Sequence, residues 1–266
     1  MRLILALLML LVCPAIAKAG CPDLPGSQAL LDADADFIVV GEAHGTVELP
    51  ALFADLACTL TADRRPLLVG VEHGPANQAA LDAYMASDGG ADARAVLLQA
   101  SAWNEPGGRG SLAMLELIER VRQLKAAGAK VALVAFDHVI ETPGTTELRE
   151  RYMAAQLMAA VGRSPGARML ALTGLGHADK EGFASQQPPF RSMAQFLPPE
   201  DTLTLSFVRA GGEALQCRLT CAAGPMTARD EPRARGVSLG DGRSGFDGWF
   251  SNGAILTAST AARPAP

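Results

Sequence analysis

The chain has 266 residues, 49% hydrophobic and 19% charged, a balance that excludes a disordered polymer and suits one α/β domain or two small ones. Aromatic residues make up only 5% and the formal charge is −5, so the chain lacks the basic face and stacking platform of a nucleic-acid binder. Nucleic acid is therefore excluded as a partner.

In chain order, the first element is a targeting segment. Arg2, an apolar run over 3–12 and small residues at Ala15, Ala17 and Ala19 read as a secretory signal over 1–19. The run falls short of the roughly 18–20 residues that span a bilayer, and no later segment comes close, so no transmembrane segment is expected. Export to the periplasm or beyond sets how the five cysteines are read. Cys13 leaves with the signal, and Cys21, Cys58, Cys217 and Cys221 enter an oxidising compartment. The short spacing of Cys217 and Cys221 favours a small closed loop, leaving Cys21 to pair with Cys58, although the other two connectivities stay open. A four-cysteine zinc site would want short pairs on both sides, and only one such pair exists, so disulfides are favoured. Ala19-Gly20-Cys21 resembles the end of a lipobox, but Lys18 stands where that motif wants an apolar residue. A lipid anchor at Cys21 is the lesser reading.

Strand-length apolar runs follow at 37–40, 67–71, 131–136, 169–172 and 203–207, with helical patterns between them. This alternation predicts an α/β fold with a mainly parallel sheet and crossover helices, forming a single domain over 20–256 with a flexible tail over 257–266. The first crossover puts Leu49, Leu52, Phe53, Leu56 and Leu60 on one face, with Thr46 placed to cap the helix and Pro50 tolerated in its first turn. Further helices are expected at 78–85, 112–124 and 148–161. The stretches 87–110 and 211–245 interrupt the pattern and read as long connections, of the kind that form lids, binding loops or surface excursions.

The four histidines, His44, His73, His138 and His177, each lie at or just beyond the carboxyl end of one of the first four predicted strands. Three of them arrive with a carboxylate, in Glu42-Ala43-His44, Glu72-His73 and Asp137-His138. Ligands of parallel sheets bind outside the carboxyl ends of the strands, so the four are expected to converge in one site there. Any single histidine at such a place is ordinarily just a satisfied polar group. Four of four at the same edge argue for a site.

Glu42 and His44 are two residues apart, so in extended backbone both point to one side. Gly41 and Gly45 would permit a sharp turn, and the helix after Thr46 presents an amide end that attracts anions. Glu48 in that first turn complements the helix dipole. Two chemistries suit these residue types. His44, Glu72, His73, Asp137, His138 and His177 form a ligand set for zinc, manganese or iron with an open position for water. Without metal, the same residues can carry general acid–base hydrolysis, a Glu or His deprotonating water or a bound hydroxyl while a second His protonates the leaving group. No G-x-S-x-G elbow supports a serine nucleophile.

Three blocks carry a family resemblance: Gly41-Glu42-Ala43-His44-Gly45 with Thr46-Val47-Glu48, Glu72 followed by Gln78, Leu81, Asp82 and Tyr84, and Thr173-Gly174-Leu175-Gly176-His177. They resemble the superfamily that groups erythromycin-esterase-like hydrolases, ChaN-like haem-binding proteins and Tiki/TraB-type proteins. Phe246-Asp247-Gly248 is a weaker echo. One residue between Glu42 and His44 is the spacing of the ChaN-like branch, where erythromycin esterases carry two, while the His-Gly-Thr-x-Glu continuation is more esterase-like. The resemblance implies an α/β fold with Glu42, His44, Glu72 and His177 as its functional site. It implies one of two uses: hydrolysis of an ester or amide in a small-molecule substrate, or haem or iron binding in the envelope. In the haem reading the two tyrosines, Tyr84 and Tyr152, become candidate axial ligands beside the histidines.

Overall fold

The computed structural model describes residues 20–104, 107–138, 146–217 and 221–263, so the expected signal over 1–19 lies outside the described residues. A seven-stranded sheet organises the chain, in the order β3-β2-β4-β1-β5-β9-β8. Its strands are β1 (Phe37–Glu42), β2 (Leu67–Val71), β3 (Val131–Ala135), β4 (Arg168–Gly174), β5 (Thr202–Phe207), β8 (Gly236–Leu239) and β9 (Gly248–Ser251). All pairings are parallel except that of β8 with β9. The expected α/β fold with a mainly parallel sheet is the observed one.

β1 is central and buried along its whole length, so its residues alternate between two cores instead of between core and water. Ile38 and Val40 join one apolar cluster with α2 (Glu48–Leu60), α3 (Gln78–Met85) and α5 (Leu112–Ala126). Phe37 and Val39 join a second cluster with α6 (Thr146–Arg163). The path from β1 out to β3 uses helices on the first face, and the return from β3 to β4 uses α6 on the other. Right-handed crossovers require that change of face when the direction of travel reverses. On α2 the predicted stripe of Leu49, Leu52, Phe53, Leu56 and Leu60 is at most 3% exposed, and each such side chain contributes roughly 1.5–3 kcal/mol. Cys21 is disulfide-bonded to Cys58 near the end of this helix. Cys221 is also disulfide-bonded, and its Cα partner across the hairpin is Cys217, whose side chain lies outside the described residues.

Several local expectations change. The helix cap is Val47, while the Thr46 hydroxyl turns back to donate to the Ala43 carbonyl at 3.3 Å. The stretch 87–110 contains α4 (Ala91–Leu97) and a short 3-10 turn (Ser101–Asn104) that buries Trp103 to 4% exposure. The stretch 211–245 contains an antiparallel hairpin, β6 (Gly212–Cys217) and β7 (Cys221–Met226), as well as β8. The tail expected to fray is hydrogen-bonded through Ala262: Val47 donates to Thr257 at 2.9 Å, Ser259 to Gly45 at 2.8 Å, Leu112 to Thr260 at 2.7 Å and Ala262 to Gly110 at 2.9 Å. Among the described residues no helix is long and apolar enough to cross a membrane.

Candidate active site

The carboxyl ends of β1, β2, β3 and β4 deliver Glu42, Glu72, Asp137 and Gly174, and a short helix, α7 (Leu175–Ala178), carries His177. Two glycines bring the turns together. Gly45 has φ +83°, and Gly108, with φ +83°, passes so near that a Cβ on it would lie 2.5 Å from the Gly45 Cα. That crossing presses the turn bearing His44 against the turn bearing Arg109.

Glu72 is the hub. It is 3% exposed, and its Oε2 accepts hydrogen bonds from the Thr173 hydroxyl and the Gly174 amide, both at 2.7 Å. Its Oε1 accepts from Arg109 at 3.0 Å and Arg149 at 2.9 Å. The same two arginines bind Asp137, which is 0% exposed, at 3.0 Å and 2.8 Å. Burial alone would raise the Glu72 carboxyl, but the charges of His44 and Arg109 outweigh it and hold the group well below the usual carboxylate range.

Two histidines meet over this hub. His44 has Nδ1 at 2.9 Å from Glu42 Oε1 and Nε2 at 3.3 Å from Glu72 Oε2. His177 has Nδ1 at 2.7 Å from Glu150 Oε1 and Nε2 at 3.7 Å from Glu72 Oε1. A Cβ on Gly174 would come within 3.0 Å of the His44 ring and 3.4 Å of the His177 ring, so a glycine is needed where the rings converge. Burial pulls His44 down, but the charge of Glu72 and the hydrogen bonds that His44 donates to Glu42 and Glu72 overcome it and push the imidazole up to about 10. His44 therefore carries its proton at neutral pH, donating from both nitrogens. His177 differs, because Arg149 Nη1 lies 3.2 Å from its Nε2 and can only donate there. That contact assigns the His177 proton to Nδ1, on Glu150, and leaves Nε2 as the acceptor. Glu42 is raised, by burial first, and its Oε2 is buried with no hydrogen-bond partner.

The four histidines do not all converge. His73 is 1% exposed, has Nε2 at 3.2 Å from the Arg109 carbonyl and meets Trp103 edge-on; burial pulls it down to about 4. It is a neutral packing group that positions the Arg109 turn. His138 lies against the Tyr152 ring with centroids 4.3 Å apart. Glu48 binds the Thr257 amide at 2.9 Å, so the amino end of α2, expected to face anions, is covered by chain. Asp247, in the weaker echo, serves the fold by accepting from the Thr204 amide at 2.7 Å and pairing with Lys180 at 2.6 Å.

The expected metal ligands do not fit a metal. Among the described residues no group of three or more His, Cys, Asp or Glu side chains is arranged to hold an ion. Arg109 and Arg149 stand between Glu72 and Asp137 and take the lone pairs that an ion would need, while His73 and His138 face elsewhere. Haem ligation by Tyr84 does not fit either. Its side chain is 2% exposed in the helical core and donates to Glu119 at 2.7 Å.

Three site residues were missed in the sequence. Arg109 follows Gly107-Gly108, both at positive φ, in a stretch read as a loop. Arg149 and Glu150 lie in the first turns of α6, where Glu150 occupies the same buried face as Met153 and Ala154. A fully buried acid on an apolar helix face was the available signal.

The sequence matches no family model and no curated protein. Solved structures do match. A succinoglycan biosynthesis protein aligns at TM-score 0.67 and 12% identity, over 88% of this chain and 92% of its own. A histidine-to-asparagine mutant of the erythromycin esterase EreC in its open conformation aligns at TM-score 0.61 and 14% identity, over 88% and 93%. The chain shares the erythromycin esterase fold. A ChaN of Campylobacter jejuni with cofacial haem aligns at TM-score 0.38 and 12% identity, over 68% of this chain and 84% of that one.

Proposed function

We propose that the protein is an exported hydrolase of an ester or amide bond in a small-molecule substrate, working from Glu42, His44, Glu72 and His177. The observation that carries this reading is the pair of facing imidazoles, each with Nδ1 on a buried carboxylate and Nε2 turned toward Glu72. One ring holds its proton and the other presents a lone pair, which are the two states that acid–base hydrolysis needs. The likeness of fold to an esterase and the disulfide between Cys21 and Cys58 are consistent with this assignment and with an oxidising compartment.

The roles follow from the protons. A group pushed up to about 10 cannot take a proton from water at neutral pH, so His44 acts as the acid and as the cation beside the developing oxyanion. His177, oriented by Glu150, takes the proton of the attacking water at Nε2 once substrate shifts Arg149 off that nitrogen, whose single lone pair it occupies in the resting site. Glu42 and Glu72 hold the His44 charge, and Arg109 and Arg149 keep Glu72 ionised.

The test is turnover of nitrophenyl esters by the purified protein and by His44→Ala and His177→Ala variants. Each variant should lose about 10²–10⁴-fold in kcat while its circular dichroism is unchanged. A folded His44→Ala protein with undiminished turnover would sink the reading.

A further inference from the structure

Beside the imidazole pair, past Glu42, lies a cavity of about 330 Å³. Leu175, Phe207, Pro225 and Met226 give it apolar walls, and its charged lining is Glu42, Arg209 and Arg229. The hairpin of β6 and β7 forms one side and is seated on the site, since Leu215 donates its amide to the Gly45 carbonyl at 2.8 Å.

The arginines stand out by their lack of partners. Arg65, Arg94, Arg120, Arg122, Arg149 and Arg168 each have a carboxylate within 4.0 Å. Neither Arg209 nor Arg229 has an ion pair among the described residues. Asp230, the neighbouring acid, has its Oδ2 on the Arg209 backbone amide at 2.7 Å, and the Arg209 guanidinium lies 5.6 Å from the centre of the Phe207 ring. A third cation, Arg243, has its Nη1 buried with no hydrogen-bond partner. Burial, together with the charges of Arg229 and Arg243, lowers Arg209 from its ordinary value, which records how closely the three cations sit. Asp230 offsets part of this repulsion without pairing with either guanidinium, so a bound anion relieves what remains, and guanidinium groups suit planar oxyanions.

We propose that this cavity is the substrate's anion subsite: Arg209 and Arg229 hold a carboxylate or phosphate carried on a compact apolar body, next to Glu42 and the imidazole pair. The substrate class is then an anionic ester or amide, an assignment that rests on the hydrolase reading above. The apolar walls and the volume fit a ring or short branched chain, and the anion orients the scissile bond toward His44.

The experiment is titration calorimetry of the whole protein with benzoate, phenyl phosphate and the uncharged benzamide. At least one anion should bind tenfold or more tightly than benzamide, with affinity falling as salt is raised. The Arg209→Gln/Arg229→Gln double variant should weaken that binding at least tenfold. The Arg229→Gln variant alone, altered only at an exposed side chain, should weaken it at least threefold and guards against a misfolded double variant. Equal binding of benzoate, phenyl phosphate and benzamide, no saturable binding of either anion, or undiminished binding by the folded double variant would each overturn the proposal. These titrations involve no turnover. Anion binding without esterase activity would therefore overturn the hydrolase reading alone, and esterase activity without anion binding this inference alone.

Discussion

Both ends of the parallel sheet carry an arginine–carboxylate cluster, built inside out with respect to each other. At the amino end the cation is buried and the acids are wet: Arg168 is 1% exposed, while the side chains of its partners Asp34 and Asp63 are 85% and 26% exposed. At the carboxyl end the acids are buried and the cations reach solvent. The side chains of Glu72 and Asp137 are 3% and 0% exposed, against 20% for Arg109 and Arg149 and 21% for His44. The amino-end cluster fastens strand starts, with Arg65 adding bonds to the Gly166 and Ala167 carbonyls. The carboxyl-end cluster presents positive charge and titratable rings to whatever enters. Only the second arrangement can act on a ligand.

The largest expected effect tests this difference directly. Arg149→Met leaves two buried carboxylates sharing one arginine fewer and should cost about 3–5 kcal/mol in urea unfolding, together with most turnover. Arg168→Met removes the buried charge and leaves its acids in water, so it should change stability by no more than about 1 kcal/mol and leave kcat alone. Equal costs for the two would erase the contrast.

The disulfide should be next in size. Cys58→Ala releases the tie to Cys21 and should cost about 2–4 kcal/mol, read as a lower unfolding midpoint, with kcat of the folded fraction unchanged.

A pH effect separates the histidines by sign. His44, raised from 6.5 to about 10, stabilises the fold fully below pH 6.5 and loses that contribution as pH rises toward about 10. His73, lowered from 6.5 to about 4, contributes fully above pH 6.5 and loses its share as pH falls toward 4, where Glu72 adds to the loss. Unfolding free energies at about pH 5, 7 and 9 should show both slopes, and His44→Gln should flatten the alkaline one. A wild-type protein without an alkaline slope would mean that His44 is not held charged. Smallest of all, Arg65→Gln at the wet amino end should cost about 0–1 kcal/mol.

The sheet was legible because five apolar runs of strand length alternate with amphipathic helices, and the site's location followed from histidines at strand ends. Glu42, His44, Glu72 and His177 gather where that reasoning puts them, and Glu72 links both rings. The metal ligand set was not legible as wrong, since a list of His, Glu and Asp residues says nothing about arginines arriving from elsewhere. Arg109 comes from a glycine-rich turn and Arg149 from a helix, and neither place marks an arginine as buried against carboxylates. Hairpin strands such as Cys-Ala-Ala-Gly-Pro-Met have little strand propensity. That strand is held extended by pairing with β6, which is itself bonded to Gly45 and Leu256, and no local pattern reports those contacts.

The strand-like segment from Leu256 to Ala262 is bonded to the His44 turn, the hairpin and the first turn of α5, and yet it contributes nothing to the central sheet. Just before it, Ile255 is 64% exposed. A protease cut at that point would leave the brace joined to both site-bearing turns by hydrogen bonds and packing alone, while every parallel strand stayed paired. The support of the His44 and Arg109 turns would then be open to loss while the sheet stayed whole, so the fold of the sheet and the order of these turns are separable properties.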